Sequence, residues 1–241
     1  MIDLHCHLLP NIDDGPKSWE ESIEMVSIAH QDGIKGAVTT PHWIQGTNWQ
    51  PDSSTVKKMV NELNVKLEGE GIDFKVYPGM EIGITTNLAD LVSSGEILTL
   101  AEGNYLLLEI PYYSLPLGME EIISGLRAIG KTAILAHPER CKEFQGSPGR
   151  ILDLIDLGAL VQITAGSLCG DFGDQAKKCA LEFARLGALD IISSDAHSTG
   201  RRRPIVSKAL RILENEIGAQ MVDTVIDNTY KVIGCIVPTQ G

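Results

Sequence analysis

At 241 residues with 43% hydrophobic content, the chain can bury the core of one large α/β domain, and we predict that residues 1–241 form a single domain. The formal charge of −12 argues against nucleic acid as a partner, because binding to a phosphate backbone needs a basic face. Apolar runs such as Tyr105 to Ile110 are too short to cross a bilayer, and Met1 leads into Ile2 without a basic flank or cleavage site. We therefore expect a soluble, cytoplasmic protein without membrane insertion.

Seven segments have the composition of buried parallel strands. Several are continuous apolar runs, which are typical of strands covered on both faces. In chain order the segments are Ile2 to His7, Gly36 to Thr40, Ile72 to Glu81, Tyr105 to Ile110, Thr132 to His137, Leu160 to Thr164 and Ala188 to Ser194.

Helical patterns with recognisable ends separate the strands. Ser18 and Glu21 form a capping-box pair at the start of the first helix, and Gly33 stands where a C-terminal glycine is expected. Two later apolar stripes also end at glycines, and further helices are predicted near 205–217 and 220–233. Seven strand-helix units indicate an α/β barrel like the eightfold TIM barrel but one unit short, with an open doubly wound sheet as the alternative.

The cysteines are odd in number and include no Cys-x-x-Cys pair. Such a set argues against a disulfide framework and against a thiolate zinc site. We expect packing residues in a reducing compartment at all five positions, which are Cys6, Cys141, Cys169, Cys179 and Cys235.

Five of the six histidines lie at or just beyond the C-terminal ends of the predicted strands. They are His5, His7, His42, His137 and His197. Active sites of β/α barrels are built at these strand ends, and chance gives histidines no reason to prefer them. The first pair projects from one face of its strand, so two imidazoles could chelate one ion, while Leu4 and Cys6 would face the helices. Taken alone, His-x-His fits a structural role equally well.

Carboxylates occupy corresponding positions on the other strands. Asp13 and Asp14 lie in the first loop, Glu81 follows a turn after the third strand, and Asp195 repeats the one-apart spacing with a histidine. Glu109 closes a run of three leucines, where burial is costly unless the carboxylate is paired or binds a metal. Histidines and carboxylates without thiolates suit Mn²⁺, Zn²⁺ or Fe²⁺.

Other polar and aromatic residues favour ordinary structural roles. His30 suits the negative end of a helix, and we exclude it from the site. The Asp-Phe-Gly sequence at 171–173 resembles a kinase motif but lacks the accompanying glycine-rich loop and His-Arg-Asp. Packing is the first expectation for the loop aromatics, with substrate contact as the alternative; these are Trp43, Trp49, Tyr112 and Tyr113.

Taken together, the ordered motifs resemble those of the polymerase-and-histidinol-phosphatase (PHP) superfamily. Within it, the chain is similar to the bacterial capsule and exopolysaccharide metal-dependent tyrosine-protein phosphatases, from residue 1 to about residue 204. The motifs that carry the resemblance are His-Cys-His at 5–7, Asp-Asp-Gly at 13–15, Thr-Pro-His at 40–42, Pro-Gly-Met-Glu at 78–81, Glu109, His-Pro-Glu-Arg at 137–140 and Ser-Asp-Ala-His at 194–197.

This resemblance implies a distorted seven-stranded barrel that holds three divalent metal ions. Manganese is the favoured metal, with iron, zinc and magnesium as alternatives. The first ion would be bound by His5, His7, Glu81 and Asp195, the second by Glu81 as a bridge with Glu109 and His137, and the third by Asp14, His42 and His197. An aspartate at position 14, where other superfamily members can carry histidine, points to the tyrosine-phosphatase branch.

The resemblance also implies two arginines that contact phosphate, Arg140 and Arg203. Because Arg201 and Arg202 precede Arg203 directly, the register of the second arginine is open, and a solvated basic turn is the alternative. A planar guanidinium can hold two phosphate oxygens at once. The implied activity is hydrolysis of phosphotyrosine by a metal-bound hydroxide, with a bacterial tyrosine kinase that controls capsular or exopolysaccharide synthesis as the expected substrate.

Three rival functions remain at this point. A small-molecule phosphatase, such as one acting on histidinol phosphate, could use the same metals, and a nuclease is disfavoured by the lack of a basic groove. An inactive metal-binding regulatory protein is the alternative from another class. The native metal, the natural substrate, the oligomeric state and the identity of any general acid are left open.

Overall fold

Parallel strands alternate with helices through residues 1–234, the part of the chain that the computed structural model describes. The strands are β1 Ile2–Cys6, β2 Gly36–Thr39, β3 His42–Trp43, β4 Lys75–Pro78, β5 Glu81–Gly83, β6 Tyr105–Glu109, β7 Thr132–Ala136, β8 Leu160–Thr164 and β9 Ile191–Ser193. The helices are α1 Trp19–Gln31, α2 Ser53–Gly69, α3 Leu88–Ser93, α4 Met119–Ala128, α5 Lys142–Gly146, α6 Ile151–Asp156, α7 Ala165–Cys169, α8 Asp174–Arg185, α9 Ser207–Glu216 and α10 Ala219–Val232.

The structure has nine strands within residues 1–234, where seven strand segments are predicted from the sequence. The short strand β3 lies beyond the second predicted segment, after Thr40 and Pro41, and the third predicted segment divides into β4 and β5 around Gly79. A Cβ atom on Gly79 would lie 2.7 Å from Val38 Cγ1, so only glycine allows this close approach. The third segment also begins later than predicted, at Lys75.

The described strands pair in parallel throughout, in the orders β1-β2-β4 and β3-β5-β6-β7-β8-β9. A parallel bridge between Cys6 and Ala196, together with the Asp195 N–H donating to the His5 carbonyl at 2.8 Å, joins the end of β9 to β1. An open sheet would keep its first and last strands apart, so this contact argues against the doubly wound alternative. The predicted α/β class with parallel strands is confirmed.

The buried apolar residues form a large cluster and a smaller one. Leu4 packs in the smaller cluster with Leu107 and Ile134, whereas Cys6 belongs to the larger one. The register between β1 and β2 shifts between Asp3 and Cys6. The predicted alternation, with Leu4 and Cys6 on one face, is therefore wrong, because an irregular strand does not keep the two-residue period.

The helix ends follow local sequence signals. The Ser18 side chain accepts a hydrogen bond from the Glu21 N–H, as predicted, while the Glu21 carboxylate accepts from the Lys17 N–H. The four described cysteines are free thiols, and Cys235 lies outside the described residues. Among residues 1–234, each helix is too short or too polar to span a membrane.

Candidate metal centre

Five histidines meet at the C-terminal edge of the strands: His5, His7, His42, His137 and His197. All are buried, with at most 8% of any one residue exposed. Parallel strands deliver their C-terminal ends to one edge, so side chains distant in sequence come together there. The remaining histidine, His30, is exposed on α1 with its ring 6.4 Å from that of Phe74, well outside this group.

One carboxylate contacts four of these imidazoles. Glu81 Oε2 lies 3.1 Å from His5 Nε2, 3.4 Å from His7 Nε2 and 3.1 Å from His42 Nδ1. Its second oxygen, Oε1, lies 2.8 Å from His137 Nε2. Since Glu81 is fully buried at the start of β5, its charge is compensated by these rings alone or by a cation that they share.

Three further carboxylates surround the histidines. Asp195 Oδ1 lies 3.6 Å from His197 Nδ1. Asp14 Oδ1 lies 3.5 Å from His42 Nε2 and 3.2 Å from His197 Nε2, and Glu109 Oε2 lies 3.6 Å from His42 Nδ1. The first loop and the ends of β6 and β9 thus all contribute to one cluster.

The candidate ligand atoms form four overlapping groups, and within each group all of these atoms lie within 4.8 Å of one another. The groups are His7, Asp14, His42 and His197; His5, His7 and Glu81; His5, His137 and Asp195; and His42, Glu81 and Glu109. Together they contain the nine residues predicted as metal ligands. The second predicted set differs in detail, because here Glu81 and Glu109 group with His42, while His137 groups with Asp195. Which residue binds which ion stays a prediction.

Buried atoms within the cluster fit a metal centre. Five of them have no hydrogen-bond partner among residues 1–234, although they lie close to one another: His5 Nε2, His7 Nε2, His42 Nδ1, His197 Nε2 and Glu81 Oε2. Leaving buried polar atoms without hydrogen bonds is unfavourable. Imidazole nitrogens and carboxylate oxygens are ligands for divalent transition metals, so the donor set fits the predicted ions.

The imidazoles of His5 and His7 are oriented by hydrogen bonds at Nδ1, on the side of each ring away from the cluster. His7 Nδ1 lies 2.6 Å from Asp13 Oδ2, and His5 Nδ1 lies 3.0 Å from Gln162 Oε1. Each bond leaves Nε2 directed at the cluster, as is usual for histidines that bind metals. Asp13 also accepts from the His42 N–H at 3.1 Å, which ties the first loop to β3.

The sequence prediction assigned no role to several of these supporting residues. Gln162 is a polar side chain in an otherwise apolar stretch of β8, and Asp3 is an acid in the apolar β1; such buried polar residues were an available signal. Asp3 accepts hydrogen bonds from the Ser194 N–H, at 3.0 Å, and from its hydroxyl. Asp3 thereby fixes the turn that carries the last two predicted ligands, Asp195 and His197.

Burial and neighbouring charges shift the pKa values within the cluster in different directions. Burial opposes a proton on His7, but its hydrogen bond to Asp13 and the nearby Glu81 carboxylate outweigh burial and raise its pKa to about 10. Burial lowers the pKa of His42 to about 4. The pKa of the Glu109 carboxyl is raised to about 7, first by burial and then by repulsion from Glu81. Strongly shifted groups gathered in one place are typical of functional sites.

Two of the predicted ligands have strained backbones. His137 has a φ of 38° directly after β7, and Asp195 has a φ of 52° directly after β9. Neither residue is glycine, and this region of φ disfavours side chains with a Cβ atom. Strain of this kind persists where surrounding structure enforces it, and it is concentrated at functional sites.

Arg140 borders the cluster at the end of the short 3-10 helix Pro138–Arg140. Its guanidinium bonds to Thr164 and Asp195, and it lies 3.7 Å from the centre of the Phe172 ring. A Cβ atom on Gly166 would lie 2.9 Å from this ring, so the glycine leaves room for it. The Asp-Phe-Gly sequence therefore has a local role that was not predicted.

The second arginine contact is made by Arg202. Its Nη2 lies 2.7 Å from Asp195 Oδ1, while Arg201 and Arg203 are exposed. Despite burial, attraction from His5, then from Arg140 and Arg202, holds the pKa of Asp195 well below its usual range. The phosphate contact assigned to Arg203 stays a prediction, and the register left open in the sequence includes Arg202.

The loop aromatics divide into buried and exposed residues. Trp43 is 1% exposed and belongs to the core, as expected for packing. Trp49 stacks on His42, with ring centres 4.9 Å apart and planes 11° from parallel. Tyr112 and Tyr113 are exposed and contact each other edge to face. Trp49 therefore forms part of the wall beside a candidate ligand.

The family model described as "Capsular polysaccharide synthesis, CpsB/CapC" matches residues 1–234. The chain is 34% identical over 228 residues to tyrosine-protein phosphatase YwqE of Bacillus subtilis, covering 95% of this chain and 89% of that protein. It is 37% identical over 210 residues to the putative tyrosine-protein phosphatase CapC of Staphylococcus aureus, covering 87% and 82%. The resemblance inferred from the motifs is confirmed.

A solved structure from work on YwqE of Bacillus subtilis and CpsB of Streptococcus pneumoniae, described as unique metal-dependent tyrosine phosphatases, superimposes with a TM-score of 0.93. The match has 32% sequence identity and covers 100% of this chain and 97% of that one. A lactonase from Listeria monocytogenes superimposes with a TM-score of 0.56 at 12% identity, which shows a shared fold alone.

Proposed function

Because this chain belongs to the CpsB/CapC family of capsular polysaccharide synthesis, we propose that it is a metal-dependent tyrosine-protein phosphatase. The observation that carries the proposal is the convergence of nine metal-binding side chains beside Arg140 at one end of the strands. The relatives are named as tyrosine-protein phosphatases, and the side chains of the cluster are chemically suited to that reaction. We also propose that the strand segments form a ring of seven units.

Three divalent ions, with manganese as the favoured metal, would be held by the nine predicted ligands. Such ions offset the charge of a phosphate and acidify water, which is the chemistry that hydrolysis of a phosphomonoester requires. Two to three bound ions per chain are expected from elemental analysis. Metal-free protein with full activity in the presence of a chelator would contradict the proposal.

The charge of the cluster explains why metal would be needed. Its four carboxylates, Asp14, Glu81, Glu109 and Asp195, carry up to four negative charges at one edge of an acidic protein. A phosphate dianion would be repelled by this arrangement unless cations are bound. Arg140 and Arg202 offset only part of that charge, through Asp195.

The proposed role of Arg140 is to hold phosphate oxygens. Its guanidinium already lies at the edge of the cluster, fixed by Thr164 and by the Phe172 ring. A planar guanidinium can donate two parallel hydrogen bonds to a phosphate, which restricts its orientation for in-line attack. This role requires no covalent intermediate. Burial also raises the pKa of the Cys6 thiol, which makes a thiolate nucleophile unfavourable there.

Phosphotyrosine suits this cluster because of its leaving group. A phenol has a pKa of about 10, far below that of an alkyl alcohol, so its oxygen can depart without a strong general acid. Each buried histidine of the cluster is proposed as a ligand, which leaves none of them free to protonate an alkoxide. We therefore expect aryl phosphates to be cleaved much faster than alkyl phosphates.

The decisive experiment compares kcat/KM for three substrates at one pH and one metal loading. A phosphotyrosine peptide, the same peptide with phosphoserine, and histidinol phosphate would be used, each with and without chelator. The expected order places phosphotyrosine first, with activity lost on chelation. Histidinol phosphate as the best substrate would replace the proposed activity with that of a small-molecule phosphatase. Metal binding without hydrolysis of any substrate would favour a regulatory protein.

The proposed protein substrate is a bacterial tyrosine kinase that controls capsular or exopolysaccharide synthesis. The support is the polysaccharide context of the family together with the named activity of its members. Release of phosphate from the autophosphorylated kinase should be faster than from an unrelated phosphotyrosine protein at equal concentration. Equal rates on both would leave the phosphatase activity intact and remove the kinase as a preferred partner.

A further inference from the structure

A cavity of about 440 Å³ opens beside the candidate metal centre. Ser194 and Asp195 form part of its wall, so it is continuous with the turn that carries two proposed ligands. Phe172 and Ile205 line another part and give it an apolar surface. A polypeptide that places a phosphate at the metals would therefore pass next to this cavity.

The cavity is basic although the protein is acidic. Four cationic side chains line it, against two carboxylates, Asp171 and Asp195; the cations are Arg201, Arg202, Arg203 and Lys208. Asp195 is already paired with Arg140 and Arg202. On a chain with a formal charge of −12, this local excess of positive charge creates a field that attracts anions.

Three of these cations form no ion pair within the described residues 1–234. The cations without a carboxylate partner are Arg201, Arg203 and Lys208, whereas Lys57, Lys66, Arg150 and Arg185 on the surface do form ion pairs. In addition, Arg202 Nε is buried and has no hydrogen-bond partner in the same region. A solvated basic turn does not account for a buried, unpartnered guanidinium nitrogen beside an apolar wall.

We propose that this cavity binds an acidic side chain, aspartate or glutamate, of the substrate polypeptide next to the phosphotyrosine. The inference rests on the proposed phosphatase activity. An extended chain advances about 3.3 to 3.6 Å per residue, so a carboxylate roughly one to three residues from the phosphotyrosine reaches a neighbouring subsite. Arg201 and Lys208 hold this carboxylate, and the apolar wall contacts its methylene groups.

The test uses phosphotyrosine peptides that differ at one flanking position, which carries Glu, Gln or Lys in turn. For the unaltered protein, kcat/KM should be highest for Glu and lowest for Lys at one or more positions, with a Glu to Gln ratio of about fivefold, the scale of partly exposed ion pairs. The double substitution Arg201→Gln with Lys208→Gln should bring this ratio close to one. Because the ratio compares two peptides with the same protein preparation, a change in overall activity or in metal content does not affect it.

Lys58→Gln provides the matched control, because Lys58 is an exposed cation on α2 without an ion pair among the described residues. It should leave the Glu to Gln ratio unchanged. The proposal is overturned if the unaltered protein has no preference for Glu at any position, or if the preference survives the double substitution. Equal loss on all three peptides would assign the two cations to phosphate binding instead. Hydrolysis of none of the peptides would refute the proposed phosphatase activity itself.

Discussion

The interior of the candidate metal centre is fixed more strongly by the fold than its rim is. In the interior, Glu81 and His5 are fully buried, and each contacts partners from several strands. On the rim, Trp49 is 37% exposed and Tyr113 is 77% exposed, and both lie in loops. Binding and catalytic side chains are positioned most precisely by strands and helices, so we expect the sheet to hold the proposed metal ligands of the interior and the loops to make contacts that select a substrate.

The largest expected effect comes from breaking the interior at Glu81. Glu81→Gln removes the charge that four imidazoles surround and keeps the size of the side chain. We expect loss of bound metal and a fall in turnover on the order of a hundredfold to a thousandfold, or about 3–4 kcal/mol in the activation barrier, because a neutral amide is a poorer ligand for divalent ions than a carboxylate. Metal content and kcat would be measured together.

His30→Gln is the control for this variant, since His30 is exposed on α1 and outside the cluster. It should retain both metal and turnover. A similar loss in both variants would mean that the assignment of histidines to the site is wrong.

Arg140 lies between the interior and the rim of the cluster. Its substitution should lower activity less than that of Glu81 and more than that of a rim residue. Arg140→Ala is expected to keep the metal content and to lower kcat/KM by about tenfold or more, since a hydrogen bond to a charged group contributes about 1.5–3 kcal/mol. Elemental analysis of the same preparation shows whether Arg140 binds phosphate or instead supports the metal site. Loss of metal would show that Arg140 supports Asp195, which it also contacts, and does not act on phosphate.

The sequence predicts the interior better than the rim for a physical reason. Parallel strands bring their C-terminal ends together, so His5 and His137 could be placed side by side without knowing any loop. Glu109 was recognisable because a carboxylate after three leucines needs a partner. Family motifs then supplied Asp14, which lies in a loop where no periodicity could locate it. All nine proposed ligands are brought together.

Elsewhere the sequence left the outcome open. Consecutive arginines in an irregular loop have no period, so the choice of Arg202 over its neighbours as the residue facing Asp195 depends on the backbone of that turn. The stacking of Phe172 on Arg140 could not be predicted either, because the two residues are far apart in the chain, with α7 among the elements between them. Breaks such as that at Gly79 depend on close packing, which strand composition does not encode.

Phe172 is expected to act as a positioning residue for Arg140, and its substitution should have a smaller effect than that of Arg140 itself. Phe172→Leu removes the ring beneath the Arg140 guanidinium, and a cation–π contact at a partly exposed site contributes about 0.5–1 kcal/mol. We expect kcat/KM to fall by about two- to fivefold with metal content unchanged. Phe172→Tyr, which keeps the ring, should restore activity. Equal loss in the Leu and Tyr variants would indicate a purely structural role in the loop.

The smallest expected effect lies on the rim, at Trp49. Its indole stacks on His42 and leaves 37% of the residue exposed beside the cluster, where an aromatic substrate ring could contact it. Since aromatic pairs contribute about 0.5–1.5 kcal/mol beyond simple burial, and Trp49 is partly solvated, Trp49→Leu should lower kcat/KM for a phosphotyrosine peptide by about twofold to threefold. Hydrolysis of a phosphoserine peptide, which lacks the ring, should change less, so the ratio between the two substrates is the quantity to measure. Trp49→Phe should retain most of that ratio. Parallel loss on both substrates would instead mean that Trp49 acts through His42 and belongs with the interior.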